Sequence, residues 1–456
     1  MTTDAQGAAG SAAGPDWRPR AHFTPARHWM NDPNGLVHHD GTWHLFFQHN
    51  PEGPDWGNMS WGHATSTDLV HWTEHPVALP HDVDTGDQVF SGSVVVDHGN
   101  TTGLRREGDP FPPFVAVWTS AREGHQAQWL ACSRDAGATW ERCAGPVLDR
   151  GSADFRDPKV SWWEPGDGAD GFWLMAAVEA VERLVVLYRS ADLWRWELLS
   201  ELGPLPQPPG IWECPDLVRL PVEGESGAEG HVLVLSGNDG TVRGCGTWYA
   251  VGSFDGVRFT PDARGFRRLD HGPDDYAAVT WNDAPCGRRV LLGWMSSWAY
   301  AGDLPTTPWR GAMTLPRELS LRRREGGDLV LVQRPVEEVR PAPGLQWLEV
   351  DLDVRDQPSA TVELAGGSDG DVARLSYDRG TGLLSLARGP SAGDARPFHP
   401  AYPCVSSAPV EARDGVVRLD VALDACSVEV FAAGGEVVLT ALVFPDGPMK
   451  PRAIPR

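Results

Sequence analysis

The stretch Ser66-Thr67-Asp68-Leu69-Val70-His71-Trp72 joins a short polar turn to a large aromatic, and its pattern returns three times. Ser133-Arg134-Asp135 leads to Trp140, Ser190-Ala191-Asp192 to Trp196, and Ser253-Phe254-Asp255 to Phe259. Successive serines lie 67, 57 and 63 positions apart. An Asp in such a setting accepts backbone N–H groups and fixes a hairpin turn. The aromatic that follows can pack between neighbouring units. A repeat near sixty residues with one such turn predicts one four-stranded propeller blade per repeat. Five blades at that period need about 300 residues, which fits positions 20 to 335. The competing reading is four unrelated Asx turns in a β-sandwich.

The surrounding sequence is consistent with blades. Gly (51) and Pro (39) are scattered through the 456 residues, between short apolar runs such as Val232-Leu233-Val234-Leu235 and Val290-Leu291-Leu292. No long window holds a 3.6-residue apolar period, so the prediction is all-β with many tight turns. A Pro-rich stretch from Arg334 to Gly344 reads as an interdomain joint. Beyond it, alternating segments at Trp347–Val354 and Val416–Val421 precede a hairpin formed by Cys426–Phe431, Gly434-Gly435 and Val437–Leu442. Those strands predict a C-terminal β-sandwich after the five-bladed β-propeller. Residues 1–17 are expected to be a disordered tail, 18–338 the propeller with the catalytic site, and 339–456 the sandwich.

Charge and composition exclude several classes. Against 62 Asp+Glu stand 39 Lys+Arg, a net charge of −23. That balance repels nucleic-acid backbones and anionic membranes, so neither is expected as a partner, and a neutral substrate fits better. Lys159 and Lys450 are the only lysines and neither lies in a phosphate-loop motif, which excludes a P-loop. The seven cysteines are odd in number and form no C-x-x-C pair. Free thiols in a cytoplasmic chain are expected, because the N-terminus also lacks a basic region followed by an apolar one; secretion would require a different start site. Asp82, Asp84 and Asp87 form an incomplete calcium loop, so no metal is expected, nor any cofactor. A monomer is expected, since no apolar edge is evident.

The residues able to do chemistry are few. Trp is abundant at 21 residues, and indoles suit the C–H faces of sugars. Trp56 and Trp61, each followed by glycine among polar neighbours, are expected at a site. Asp32 lies in Trp29-Met30-Asn31-Asp32-Pro33-Asn34-Gly35, Asp157 in Phe155-Arg156-Asp157-Pro158, and Glu213 in Ile211-Trp212-Glu213-Cys214-Pro215-Asp216. Each alone would be a turn former or a surface acid. Together they occupy similar places in successive blades, so all three can face the propeller axis. Two carboxylates about 5 Å apart serve a retaining glycosidase as nucleophile and proton donor. Trp212 and Cys214 are expected to desolvate Glu213 and keep it protonated.

At these motifs the chain resembles glycoside hydrolase family 32, the β-fructofuranosidases that include invertases, exo-inulinases and levanases. The resemblance runs from about His22 to Pro445. It implies Asp32 as nucleophile, Asp157 as the transition-state stabiliser that holds fructose hydroxyls, and Glu213 as acid/base. It also implies sugar contacts from Trp29, Asn31, Gln48, Trp56, Phe90, Ser91, Arg156 and Trp298. The segment Gly293–Tyr300 followed by Pro308-Trp309-Arg310 is more similar to exo-inulinases and levanases than to sucrose-6-phosphate hydrolases. Phe47 and His49 stand where the family usually has Tyr. The implied activity is release of terminal β-fructosyl units from sucrose, fructo-oligosaccharides or longer fructans, through a covalent fructosyl-enzyme. A fructosyltransferase and a non-catalytic fructan-binding propeller are the alternatives.

Overall fold

The computed structural model describes residues 16–453 except 167, 169, 367–371 and 390–396. Five antiparallel meanders surround an axis, and a two-sheet sandwich follows. Blade 1 runs outward through His28–His39, Thr42–Asn50, Ser60–Ser66 and Thr73–Leu79. Blades 2 to 5 start at the axis with Gln88–Val96, Phe155–Trp163, Ile211–Pro221 and Tyr276–Thr280. The ring closes where Trp309–Arg310, from the last blade's span, pairs in parallel with His28 and Trp29 of the first. Among the described residues no helix is long and apolar enough to cross a membrane.

The Ser-x-Asp repeat marks the turn between the third and fourth strands of blades 1 to 4. Asp68 Oδ1 accepts from the amides of Val70 and His71 at 3.0 and 2.8 Å. Asp192 holds Trp194 and Arg195 in the same way, and Asp255 holds Val257 and Arg258. Asp135 accepts instead from the amide and hydroxyl of Thr139. Trp140 and Trp196 return their indole N–H to the carbonyls of Gly137 and Leu193. Their rings pack between blades: Trp140 lies edge-on to Phe46 of blade 1, and Trp196 joins the core shared by blades 2 and 3.

The sandwich sheets are Gln346–Asp353, Val416–Asp424, Ser427–Ala432 and Val437–Leu442, facing a five-stranded sheet from Ser359–Gly366 to Met449–Ala453. The hairpin expected over 426–442 is present, with Ser427 opposite Leu442. The expected tail, 1–17, lies outside the described residues up to position 15. Trp17, however, is tied down: its indole N–H donates to Pro445 O at 2.8 Å and its ring meets Phe444 edge-on. The joint between propeller and sandwich is buried and ionic. Arg317 donates to Asp270 and Glu429, while His22 bridges Asp424 and Glu429 at 2.8 and 2.9 Å.

Candidate active site

Every innermost strand carries a β-bulge, and the bulges hold the functional side chains. Asn31 and Asp32 together face Gln48, and Ser91 is the extra residue between Phe90 and Gly92. In blade 3 the register slips between Arg156 and Lys159, in blade 4 between Glu213 and Asp216, and in blade 5 between Tyr276 and Val279. An extra residue on one strand bends it and turns consecutive side chains away from strict alternation. Asp157, Cys214 and Ala277 each open their bulge at positive φ, 62°, 50° and 55°. Such a backbone is strained for a non-glycine residue and persists only where its surroundings enforce it.

The enforcing contacts come from the preceding blade. The amide of Asp157 donates to Thr119 Oγ1 at 3.0 Å, and that of Ala277 to Ser236 Oγ at 2.9 Å. The amide of Cys214 donates to the carboxylate of Asp157 itself at 2.9 Å. Gly92 is required here, because a Cβ would meet the Val117 carbonyl oxygen at 2.1 Å.

Three groups one residue ahead of these bulge positions form a clamp across successive blades. Arg156 Nε donates to Glu213 Oε1 at 3.2 Å, and the Tyr276 hydroxyl donates to Glu213 Oε2. Asp32 accepts from Ser91 Oγ at 2.7 Å, from Asn31 Nδ2 at 3.0 Å and from the Cys214 thiol at 3.5 Å. Trp29 steadies Asn31 through a 2.7 Å bond from its indole. Burial and the nearby Glu213 charge push Asp32 up to about 6, against those three hydrogen bonds. Asp157 is also pushed upward by burial, with Arg156 opposing and Glu213 and Asp32 adding to the rise. Burial beside Asp32 and Asp157 raises the Cys214 thiol well above its ordinary range, so it stays protonated and can donate.

Aromatic groups wall the site. Trp298 stacks on Trp29 at 6.1 Å and sits 4.9 Å from Trp294, with Tyr276 edge-on to both. Trp56 is 48% exposed and lies edge-on to Phe90 at 6.1 Å. Gln48 is buried and donates to Val89 O at 3.0 Å. Further along the inner strands the axis is closed. Asn282 bonds Leu36 O of blade 1 through its amide, and Val94 O and Val160 O of blades 2 and 3 through its side chain.

Two tryptophan readings are corrected. Trp61 is fully buried, donates to Phe90 O and belongs to the core between blades 1 and 2. Gly62 beside it leaves room for the Phe47 ring, which an added Cβ would meet at 2.3 Å. Trp212 faces away from Glu213 into the core between blades 3 and 4 and donates to Pro208 O. The neighbours of Glu213 are Arg156 and Tyr276 instead. Tyr276 and Thr119 were not legible as site residues; their only signal is their place beside a bulge, which two strands define jointly.

The three acids come from blades 1, 3 and 4 rather than from successive blades, because Gln88–Val96 supplies the inner strand of blade 2 between them. A five-bladed propeller that gathers such acids at its axis is the architecture of a glycosidase. The chain belongs to glycosyl hydrolases family 32: the family's N-terminal domain model matches residues 22–335 and its C-terminal model 322–454. It is 40% identical over 481 residues to the levanase of Bacillus subtilis, a match that covers 98% of this chain and 69% of the levanase. The exo-inulinase structure from Aspergillus awamori superposes with a TM-score of 0.82 at 34% identity, covering 96% of this chain and 95% of that one. A fructofuranosidase from Schwanniomyces occidentalis, solved with fructose, gives 0.83 at 31%, covering 95% and 93%.

Proposed function

We propose that the protein is a retaining exo-β-fructofuranosidase in which Asp32 is the nucleophile and Glu213 the acid/base. The observation that carries the reading is the gathering of Asp32, Asp157 and Glu213 around Cys214, within a family whose similar members include a levanase and an exo-inulinase. An axis closed by Asn282 favours a chain end over an internal sugar. A terminal fructosyl unit enters with Trp29 and Trp298 on its wall, and Arg156 and Asp157 meet its hydroxyls. Trp56 and Phe90 form the rim, where the leaving sugar lies. A carboxylate oxygen of Asp32 attacks the anomeric carbon as the glycosidic bond breaks, and Glu213 gives its proton to the departing oxygen. The Asp157 carboxylate stabilises the positive charge that develops on the ring. Glu213 then takes a proton from water, which attacks the same carbon and releases fructose with retained configuration. The Tyr276 hydroxyl can accept as well as donate, so it holds Glu213 in either protonation state.

The test is product analysis on sucrose, 1-kestose, inulin and levan, with Glu213→Ala alongside. Fructose released one unit at a time, and slowed by about three orders of magnitude or more in the variant, is expected. An activated aryl fructoside, which needs no proton, should recover turnover in the variant with azide and give fructosyl azide. Kestose accumulating in place of fructose would make the enzyme a transferase, and binding without turnover would make it a fructan-recognising propeller.

A further inference from the structure

The sandwich approaches the site through the segment before Tyr276 and through Tyr300. Residues 270–274, which lead directly into Tyr276, lie along the edge strand Val437–Leu442 of the sandwich. His271 N donates to Val438 O at 2.8 Å and Asp274 N to Thr440 O at 3.3 Å. The approach is so close that a Cβ on Gly272 would meet the Thr440 backbone at 2.0 Å. Asp274 is fully buried and anchors the end of this segment. Its carboxylate accepts from Leu442 N at 2.8 Å, from the Tyr300 hydroxyl at 2.5 Å and from an Arg388 guanidinium nitrogen.

Arg388 lies on the sandwich strand Leu383–Gly389 and is itself buried. Besides Asp274 it donates to the Tyr300 hydroxyl and to the carbonyls of Tyr402 and Leu442, and its guanidinium lies over the Tyr300 and Tyr402 rings. Tyr300 is two residues from Trp298. Asp274 is two residues from Tyr276. One arginine of the second domain therefore holds both ends of the wall that faces Glu213.

We propose that Arg388 positions the Tyr276–Glu213 hydrogen bond and the Trp298 wall, through Asp274 and Tyr300, so that the sandwich sets the turnover of the propeller site. Arg388 touches no reacting atom and acts as a positioning residue. Displacing a catalytic group by about 1 Å can cost a factor of 10² in rate, and Tyr276 reaches the sandwich through this tether, while its neighbour Asp275 lies 3.5 Å from Arg317 of the propeller, which itself donates to Glu429 of the sandwich. The inference rests on the reading of Glu213 as acid/base. The titratable groups facing Glu213 are Arg156, Tyr276, Asp32, Asp157 and the thiols of Cys214 and Cys245, and of these Tyr276 is carried by the tethered segment.

The test compares Arg388→Met, Arg388→Lys and Tyr300→Phe with Leu386→Ala, a core truncation on the same strand that leaves the tether intact. Thermal unfolding, kcat and KM on sucrose and the pH profile of kcat are read well below each variant's unfolding temperature. Arg388→Met should lower kcat by about 10- to 30-fold with KM within about threefold, and should displace the alkaline limb. Arg388→Lys should restore part of kcat, and Leu386→Ala should lose thermal stability alone. If Arg388→Met fails to fold, Tyr300→Phe carries the test, with a fall of about fivefold and the same displaced limb. Folded variants with unchanged kcat and pH profile overturn the proposal. A Glu213→Ala variant that kept its turnover would instead remove the acid/base reading, a result no Arg388 variant can produce.

Discussion

The propeller axis and the propeller–sandwich joint each gather a cluster of buried acids, and the electrostatics of the two are opposite. At the propeller–sandwich joint each acid named has a cation against it. His22 holds Asp424 well down, at about 2, despite burial, and Arg317 and His22 together lower Glu429. At the axis one guanidinium, Arg156, serves Asp157 and Glu213, and Asp32 has only neutral donors. There burial wins, and Asp32 and Asp157 rise. Asp275 marks the border: it is buried 3.5 Å from Arg317, yet burial and the Asp270 charge push it upward. Paired buried charge gives a specific, rigid joint, whereas unpaired buried charge is the condition in which a carboxylate becomes reactive.

The largest effect should come from the axis. Asp32→Asn removes the proposed nucleophile and should lower kcat by about four orders of magnitude. The same change removes a carboxylate whose ionisation the fold disfavours, so at pH 7 the variant should be more stable by about 1–3 kcal/mol. Unfolding in urea beside a sucrose assay reads both. A variant that kept a tenth of the activity, or lost stability, would show that the axis and the joint are not electrostatic opposites.

The joint should respond in reverse. Arg317→Met leaves Asp270 and Glu429 buried without their shared cation, a change that costs about 3–5 kcal/mol. Activity per folded molecule should change far less. A variant with normal unfolding and lost activity would place Arg317 in the site rather than in the joint.

His22 gives the comparison a pH axis. Burial opposes its charge, but the bonds to Asp424 and Glu429 outweigh that and raise it to about 9. Its contribution is complete below the unfolded value of about 6.5 and is lost as pH rises through 9, an effect of roughly 3 kcal/mol. Asp32 titrates in a different window. Its raised folded value makes stability fall as pH rises from about 4 to about 6. His22→Gln should therefore flatten the urea stability curve between pH 7 and 9, and by releasing Asp424 and Glu429 from the cation that lowers them it should also change the acid end of the curve. A slope that persisted in the variant would assign that window to other groups.

What could be read from sequence follows the range of each interaction. The Asp68, Asp135, Asp192 and Asp255 turns are local: serine, aspartate and the amides they bind lie within six residues, so their repeat exposes the blades. Blade 5 lacks that turn: Arg324–Asp328 closes its outer hairpin through backbone bonds, with the Arg323 guanidinium on Gly327 O. The three acids were legible through flanking Pro and aromatic residues. Their geometry was not, because a bulge is a mismatch between two strands and neither strand alone contains it. Tyr276 illustrates the loss: Tyr276-Ala277-Ala278 has no proline and reads as the start of an ordinary apolar strand. Trp212 and Trp61 were misplaced for a simpler reason. A neighbour in sequence along a strand faces the other side, and a glycine next to tryptophan can serve packing as well as a ligand.

Ser91 offers the finest test of the axial side. Its hydroxyl bond to Asp32 at 2.7 Å favours the carboxylate form and opposes the rise caused by burial. Ser91→Ala removes that bond and adds no volume, so Asp32 should hold its proton to higher pH. A protonated nucleophile is inactive, and the acid limb of kcat/KM should move up by about half a unit to one unit while the plateau falls only severalfold. The joint acids carry no part of that limb, so Arg317→Met should leave it in place. An acid limb that moved in Arg317→Met and stayed fixed in Ser91→Ala would mean that the long-range charges of the joint, rather than the neutral donors at the axis, decide when the nucleophile ionises.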